Sequence, residues 1–253
     1  MNDLFFALVD AARPDLFVEA GAFEAETSLH IARTHSDCSV IAFEANPDNH
    51  AHFARLREFD RNGVQYLNFA LTDAPGPVTF HRQTVNGSTI VGHSSLLERS
   101  ANHDGPVQPV TVQGVRLDDH TPDAARVAMW VDVEGASGQV LRGAARRLAA
   151  CDVLKIEVEE EPFWEGQSLA TDVISQLGDS GLIPVARDIE QPSQYNIVFA
   201  STRLLRQRPA IEAIELFIAR AQDHASWPVV EAVRAHPFYG RASFAIRKRM
   251  GDI

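Results

Sequence analysis

Two pairs of carboxylates carry the side chains best suited to chemistry in this sequence. Asp132 and Glu134 follow an apolar run that begins at Val127, and strand alternation would place both on one face. At the end of a parallel strand, that face borders the crevice where ligands bind in open α/β sheets. A carboxylate there can orient an acceptor hydroxyl or accept its proton, so we predict catalytic roles for both residues. Capping of the following helix is the alternative for Glu134.

The second pair, Glu157 and Glu159, closes the next apolar run, residues 153–158. Together with the first pair, these acids could form a divalent-cation site, but their spacing matches no dedicated metal-binding motif. We therefore predict no metal site. A solvated loop face is the alternative role for part of this acidic run.

His93 lies in a polar segment, residues 84–105, beside Ser94 and Ser95. If this segment is a lid, it could bring the imidazole to the reacting atoms, where its intrinsic pKa suits a general base near neutral pH. We predict a catalytic role for His93, with an exposed loop histidine as the alternative.

A strand, a tight turn and a helix start, residues 16–26, predict where a cofactor would bind. The apolar run stops at Gly21, and a second buried-strand run ends in Glu44 about twenty residues later, the spacing of a nucleotide-type cofactor site. Backbone amides at the turn would contact the ligand and the carboxylate would bind ribose hydroxyls. Any doubly wound domain has a strand, a turn and a helix at this place, which is the structural alternative.

The residues of the turn indicate which cofactor binds. Dinucleotide sites normally use three glycines so that the backbone can approach a pyrophosphate. Here only Gly21 is present, and Phe23 and Ala25 carry side chains where bare backbone is needed. This pattern disfavours NAD, and with it an NAD-dependent oxidoreductase. It favours S-adenosylmethionine, which has no phosphate and offers an amino-acid end and ribose hydroxyls for hydrogen bonding.

Alternation of strands and helices predicts an α/β fold, a doubly wound and mostly parallel sheet with helices on both faces. The predicted parallel strands occupy residues 16–20, 39–44, 64–69, 127–133 and 153–158. Two later strands, residues 182–186 and 196–200, are joined by a connection too short for a crossover helix. They must pair antiparallel, as a terminal hairpin.

The strand and helix rhythm breaks between residues 75 and 120. Residues 78–82 and 107–112 read as strands, and the polar stretch between them predicts an insertion or a lid, with disorder as the alternative. We predict a main domain of residues 1–201 that contains this insertion, followed by a helical C-terminal extension, residues 202–253.

Composition limits the classes of partner. The formal net charge of −11 disfavours nucleic acid, because phosphate binding needs a surplus of basic residues on one face. The first residues have no basic region and too short an apolar run for a signal peptide or a membrane span. We expect no nucleic acid partner, no membrane span and a cytoplasmic location, and a homo-oligomer stays open.

Six segments together resemble the FkbM family of S-adenosylmethionine-dependent O-methyltransferases. They lie in the family's order between about residues 15 and 200 and read VEAGAFEAETS, AFEANP, NFALTD, VRLDDH, VDVEGASGQVLRGAARRL and VLKIEVEE. The resemblance implies a class I methyltransferase, Rossmann-like fold. It also implies methyl transfer to a hydroxyl, often on a sugar of a glycan, glycolipid or natural product, so the expected partner is a small-molecule or glycan acceptor.

The resemblance also implies roles for individual residues. Asp132 and Glu134 would lie nearest the methyl group. The implied cofactor contacts are Glu19, Gly21, Ala22, Phe23, Glu44, Ala45, Asn68 and Ala70, with Gly21 and Ala22 at the methionine end, Glu44 at the ribose, and Asn68 and Ala70 near the adenine.

The chain departs from the family pattern at four positions. The family usually has Asp at Glu19, Asn at Phe23, Gly at Ala25 and an acid at Ser137. These departures motivate an alternative function, a catalytically silent methyltransferase-like protein that serves as a binding or scaffold subunit.

Overall fold

Ten strands form two sheets in the part of the chain that the structure describes. This structure is a computed structural model that describes residues 1–100, 106–188 and 193–223. The strands are β1 Leu16–Ala20, β2 Ser39–Phe43, β3 Val64–Leu67, β4 Ala70–Leu71, β5 Gly76–Gln83, β6 Val107–Val115, β7 Val127–Val131, β8 Cys151–Glu159, β9 Leu182–Arg187 and β10 Gln194–Ser201. The helices are α1 Asn2–Ala12, α2 Glu26–Thr34, α3 Pro47–Leu56, α4 Leu117–His120, α5 Ser137–Arg142, α6 Ala145–Ala149, α7 Ala170–Asp179 and α8 Arg208–Asp223.

The main sheet has the strand order β3-β2-β1-β7-β8-β10-β9, in which only β10 runs against the others. Strand β1 is buried along its whole length, as expected for a central parallel strand covered on both faces. The predicted doubly wound, mostly parallel sheet and its antiparallel terminal hairpin are confirmed. Because parallel strands share their direction, the residues that follow β1, β2 and β7 meet at one edge.

The region between residues 75 and 120 contains the second sheet, of order β4-β6-β5. Strands β5 and β6 pair antiparallel over eight residues each, which confirms the two strands predicted there. The loop between them folds back onto β5, since Ser95 pairs with His81. We name residues 88–96 the cover loop, because several of its side chains lie over the cavity described below.

Strand β3 is shorter than the predicted strand, residues 64–69, and the helical segment after β7 is broken. Strand β3 ends at Leu67, because the Asn68 amide donates to the carbonyls of Glu44 and Ala45, and the chain then joins the second sheet through β4. Residues 137–149 form two helices, α5 and α6, in place of one continuous helix. The break lies at Gly143, where a Cβ atom would stand 2.0 Å from the carbonyl oxygen of Thr72, so the second sheet packs directly on the helix backbone.

The chain divides into two units, residues 1–211 and residues 212–253. Helix α8 lies in the predicted C-terminal extension, and the extension beyond residue 223 lies outside the described residues. The boundary predicted at residue 201 stays a prediction. Every helix within the described ranges is too short or too polar to span a bilayer.

The turn after β1 generates a stability prediction. Gly21 has φ +74°, and a Cβ atom there would stand 1.7 Å from the carbonyl oxygen of Asp132. Gly63 has φ +72° with nothing within 4 Å of the same position. We expect Gly63→Ala to cost about 1 kcal/mol of unfolding free energy from backbone strain alone, and Gly21→Ala to cost about 2 kcal/mol more because main chain must move. Denaturant unfolding measures both. Equal costs would show that the close approach is not a constraint.

Candidate active site

A narrow cavity opens at the edge where β1, β2 and β7 end. It encloses about 550 Å³ of empty space, part of which is open to solvent. The cavity wall combines strand ends, apolar side chains and the cover loop. Its lining residues include Gly21, Phe23, Phe43, Glu44, Ala45, Asn49, Phe69, Ala70, Leu71, Phe80, Val91, Gly92, Ser94, Leu96, Asp132, Val133, Glu134 and Ala136. Seven of the predicted site residues therefore line one cavity.

The first wall of the cavity is the turn at Gly21. The backbone amides of Gly21 and Ala22 both donate to the carbonyl of Phe43, at 3.0 and 2.9 Å. On the opposite side the amide of Asp132 donates to the carbonyl of Ala20 at 2.9 Å. These bonds fasten the ends of three neighbouring strands together. Ala22 is buried behind the turn and does not line the cavity.

Phe23 and Ala25, two of the departures from the family pattern, both have left-handed backbone, with φ 48° and 51°. Residues other than Gly, Asn and Asp rarely adopt this conformation, and it costs roughly 1–3 kcal/mol. The Phe23 ring packs edge-to-face on Phe53 of α3, with 4.8 Å between centroids. Its carbonyl accepts a short hydrogen bond from the Tyr66 hydroxyl. These contacts hold the strained turn in place.

Glu44 lies at the second wall and is 5% exposed. One carboxylate oxygen accepts the amide of Phe23 at 2.7 Å, and the other accepts the amide of Asn46 at 2.7 Å and the side-chain amide of Asn49 at 3.4 Å. Burial raises the pKa of Glu44 to about 7, against the effect of these hydrogen bonds. A carboxylate has about four acceptor positions, so capacity remains for a ligand hydroxyl.

Glu19 points away from the cavity. Its carboxylate accepts the backbone amide and the hydroxyl of Ser28, at 2.9 and 2.5 Å, in the first turn of α2. Burial raises the pKa of Glu19 to about 7. The structure therefore places Glu19 as the support of α2, and the cofactor contact expected of it stays a prediction. Asn68 is likewise outside the cavity lining, bonded to the chain that follows Glu44.

Asp132 and Glu157 form a hydrogen-bonded carboxyl pair at the third wall. Burial raises the pKa of both groups, and the charge of Glu134 adds to the rise at both. Asp132 and Glu159 raise the pKa of Glu157 further. At Asp132 the Lys155 ammonium and the hydrogen bond with Glu157 oppose the rise. Two buried carboxyls this close titrate as one unit and favour a state in which they share a proton.

Glu134 stands in a left-handed turn with φ 49°, followed by Gly135 at φ 80°. A Cβ atom at Gly135 would stand 2.2 Å from the Trp164 ring, so only glycine lets this turn pack on the indole. The side chain of Glu134 is 13% exposed and accepts from His93 Nδ1 at 3.4 Å. The Ser95 hydroxyl donates to the Glu134 carbonyl at 2.5 Å. Through His93 and Ser95 the cover loop is thus attached to Glu134.

His93 lies at the rim of the cavity, and its side chain is 66% exposed. The hydrogen bond with Glu134 raises its pKa, and the nearby Asp132 acts in the same direction. The structure brings His93 beside the acidic group but not into the cavity lining.

Asp132, Glu134 and Glu157 each offer a carboxylate oxygen, and these three oxygens lie within 4.8 Å of one another. The shared proton lowers the repulsion within this group without a cation. The absence of a metal stays a prediction.

Sequence reasoning missed the contribution of Asn49 and of apolar residues in the cover loop. Asn49 lies in the first turn of α3, which begins three residues after Glu44. This closeness to Glu44 in the sequence could have indicated that Asn49 belongs to the site. Val91 and Leu96 gave none, because the loop's polar composition concealed the two apolar side chains that reach the cavity.

Comparison with known proteins agrees with this geometry. The model of the methyltransferase FkbM domain matches residues 11–183, more than half of the chain. The chain belongs to the FkbM methyltransferase family. The predicted family and its methyltransferase activity are thereby confirmed, and the oxidoreductase interpretation gives way to them.

One curated relative is the 2-O-methyltransferase NoeI of Sinorhizobium fredii, 25% identical over 170 residues, which are 61% of this chain and 68% of NoeI. The fold is similar to magnesium protoporphyrin IX methyltransferase of Synechocystis PCC 6803, at 9% identity and TM-score 0.46, over 79% of this chain and 77% of that one. It is also similar to precorrin-6y C5,15-methyltransferase of Geobacter metallireducens, at 13% identity and TM-score 0.42, over 78% and 87% of the two chains.

The buried acids of the site predict an unusual dependence of stability on pH. A carboxyl whose pKa is raised in the folded state binds its proton more tightly there, so its stabilising contribution is complete below about pH 4.5 and is lost as pH rises through about 7. Glu19 alone can contribute up to about 3 kcal/mol of this loss. We expect the wild type to unfold more easily at pH 8 than at pH 5.

Glu19→Gln checks the source of this dependence, because the amide oxygen still accepts from Ser28 but cannot ionise. Denaturant unfolding at pH 5 and pH 8 should show a smaller difference in the variant than in the wild type. An unchanged difference would mean that Glu19 is ionised in the folded protein throughout this range.

Proposed function

We propose that this methyltransferase uses S-adenosylmethionine to methylate a hydroxyl group, on a sugar of a glycan, glycolipid or natural product. The observation that carries the proposal is a buried acid, Glu44, on the same narrow cavity as the turn at Gly21 and the carboxylate of Asp132. Such a cavity can hold an adenosine-bearing donor at one end and an acceptor hydroxyl at the other.

The residues present fit this cofactor. Glu44 retains acceptor capacity for ribose hydroxyls beside its three protein donors. Ala45, Phe69 and Leu71 supply apolar surface for a purine. No diphosphate has to be accommodated, which agrees with a turn that carries Phe23 and Ala25 in place of further glycines.

The bound cofactor would supply an electrophilic methyl group on a sulfonium. Asp132, in its ionised form, would accept the proton of the acceptor hydroxyl or orient that hydroxyl for attack. Glu157 would keep the Asp132 carboxylate in place through their hydrogen bond. Glu134 would hold His93 at the cavity rim through its contact with the imidazole. Positioning of the two reactants supplies a large part of the rate in such a site.

A sugar hydroxyl is proposed as the acceptor on two grounds. The rim beyond Asp132 carries two polar side chains, Glu134 and His93, that can hydrogen-bond the hydroxyls of a ligand. NoeI, the curated relative, is named a 2-O-methyltransferase.

Cofactor binding is tested by calorimetry with S-adenosylmethionine and S-adenosylhomocysteine. We expect the wild type to bind both, and Glu44→Gln to weaken binding about tenfold or more, since one acceptor oxygen is lost where hydroxyls bind. Glu58→Gln, at an exposed surface acid, is the matched control and should bind as the wild type does. A wild type that binds neither ligand would favour the silent binding or scaffold protein.

Asp132→Asn tests the chemical step separately. The amide keeps the size and hydrogen-bonding of the side chain but cannot accept a proton, so we expect turnover to fall by about 10²–10⁴-fold while cofactor affinity stays within about threefold. Methyl transfer from labelled S-adenosylmethionine to sugar acceptors measures turnover. The exposed Asp179→Asn is the control. Full activity of the Asp132 variant would contradict the assigned role.

A further inference from the structure

Asn49 makes a two-point contact with the cover loop that an amide side chain can make and a carboxylate cannot. Its Oδ1 accepts the backbone amide of Val91 at 3.1 Å, and its Nδ2 donates to the backbone carbonyl of the same residue at 3.0 Å. The side chain therefore pairs with the loop as a neighbouring strand would. Asn49 is 2% exposed, so both bonds are shielded from water.

The same amide group touches the acid proposed to bind ribose. Asn49 Nδ2 lies 3.4 Å from Glu44 Oε1, and Asn46, whose backbone amide also donates to that oxygen, donates its side-chain amide to the carbonyl of Thr89 at 3.0 Å. Two buried asparagines at the start of α3 thus bridge Glu44 and the cover loop.

The other end of the cover loop is held at the acidic motif. Ser95 bonds the carbonyl of Glu134, and His93 contacts its carboxylate. Between these attachments Val91, Gly92, Ser94 and Leu96 lie against the cavity. A ligand of nucleoside size in the cavity would lie beneath these residues.

We propose that Asn49 is a positioning residue for the methyl-transfer reaction, which couples the ribose-binding carboxylate of Glu44 to closure of the cover loop over the cofactor. This inference rests on the proposed function. Only an amide offers a donor and an acceptor side by side at this position. A ligand hydroxyl bound to Glu44 would therefore lie beside the Asn49 amide that holds the cover loop. A cover loop held in this position would slow dissociation of the ligand.

Two substitutions separate this role from plain packing. Asn49→Leu keeps the approximate volume but removes both bonds. Asn49→Asp retains the acceptor and regains the donor only when the carboxyl is protonated, and burial beside Glu44 should raise its pKa towards neutral. Asn62→Asp is the control, because Asn62 also donates to a backbone carbonyl, that of Glu58, away from the cavity.

The experiment measures affinity and dissociation rate for S-adenosylhomocysteine at pH 6 and pH 8, with melting curves for every variant. We expect Asn49→Leu to weaken binding about tenfold at both pH values, mainly by faster dissociation. We expect Asn49→Asp to match the leucine variant at pH 8 and to recover towards wild type at pH 6. The wild type, measured at both pH values, corrects for titration of Glu44.

Wild-type affinity in both variants, or a loss in Asn49→Asp that does not depend on pH, would overturn the inference. Hydrogen exchange without ligand provides an independent arm: the Val91 amide should exchange faster in Asn49→Leu than in the wild type, and unchanged exchange would equally overturn it. A wild type that binds no S-adenosylhomocysteine would contradict the proposed function, whereas the exchange result would still decide whether Asn49 fastens the loop.

Discussion

The site depends on one close approach, the contact between the turn at Gly21 and the backbone of Asp132. No side chain fits between them, so the ends of β1 and β7 meet main chain to main chain. This contact sets the distance between the turn expected to hold the amino-acid end of the cofactor and the carboxylate expected to act on the acceptor. The amides of Gly21 and Ala22 bond to the carbonyl of Phe43, so the next residue, Glu44, lies beside the same turn. The geometry of the cavity follows from the parallel sheet.

The second theme is that carboxyl groups are buried where the sheet ends. Glu19, Glu44, Asp132, Glu157 and Glu159 all have raised pKa values, chiefly through burial. Three of them are held by specific donors: Ser28 for Glu19, backbone amides for Glu44, and Gln194 for Glu157. Keeping these ionisable groups out of water costs some stability. A general base works best when its pKa lies near the working pH, so a raised pKa suits a carboxylate that accepts a proton near neutral pH.

Sequence reasoning predicted the sheet because buried parallel strands are short apolar runs, and β1, β2 and β7 are such runs. It also placed Gly21, Glu44 and Asp132 at one edge, since strand direction dictates where strands end. It could not show that Glu19 bonds to Ser28 and does not line the cavity, because that bond is a tertiary contact. It missed Asn49 for the same reason, since the partner of Asn49 lies in a loop with no periodic pattern. The left-handed φ values of Phe23 and Ala25 are ones that Asn and Gly adopt more easily.

The most direct test of the central claim is a crystal structure of the complex with S-adenosylhomocysteine. We expect the ribose hydroxyls on Glu44, the amino-acid end at the turn of Gly21, and the sulfur on the side of Asp132, beneath a cover loop that Asn49 still holds. A ligand bound elsewhere, or a cavity closed by Phe23 with Glu44 still bonded only to protein, would contradict the assignment of this cavity as the methyl-transfer site.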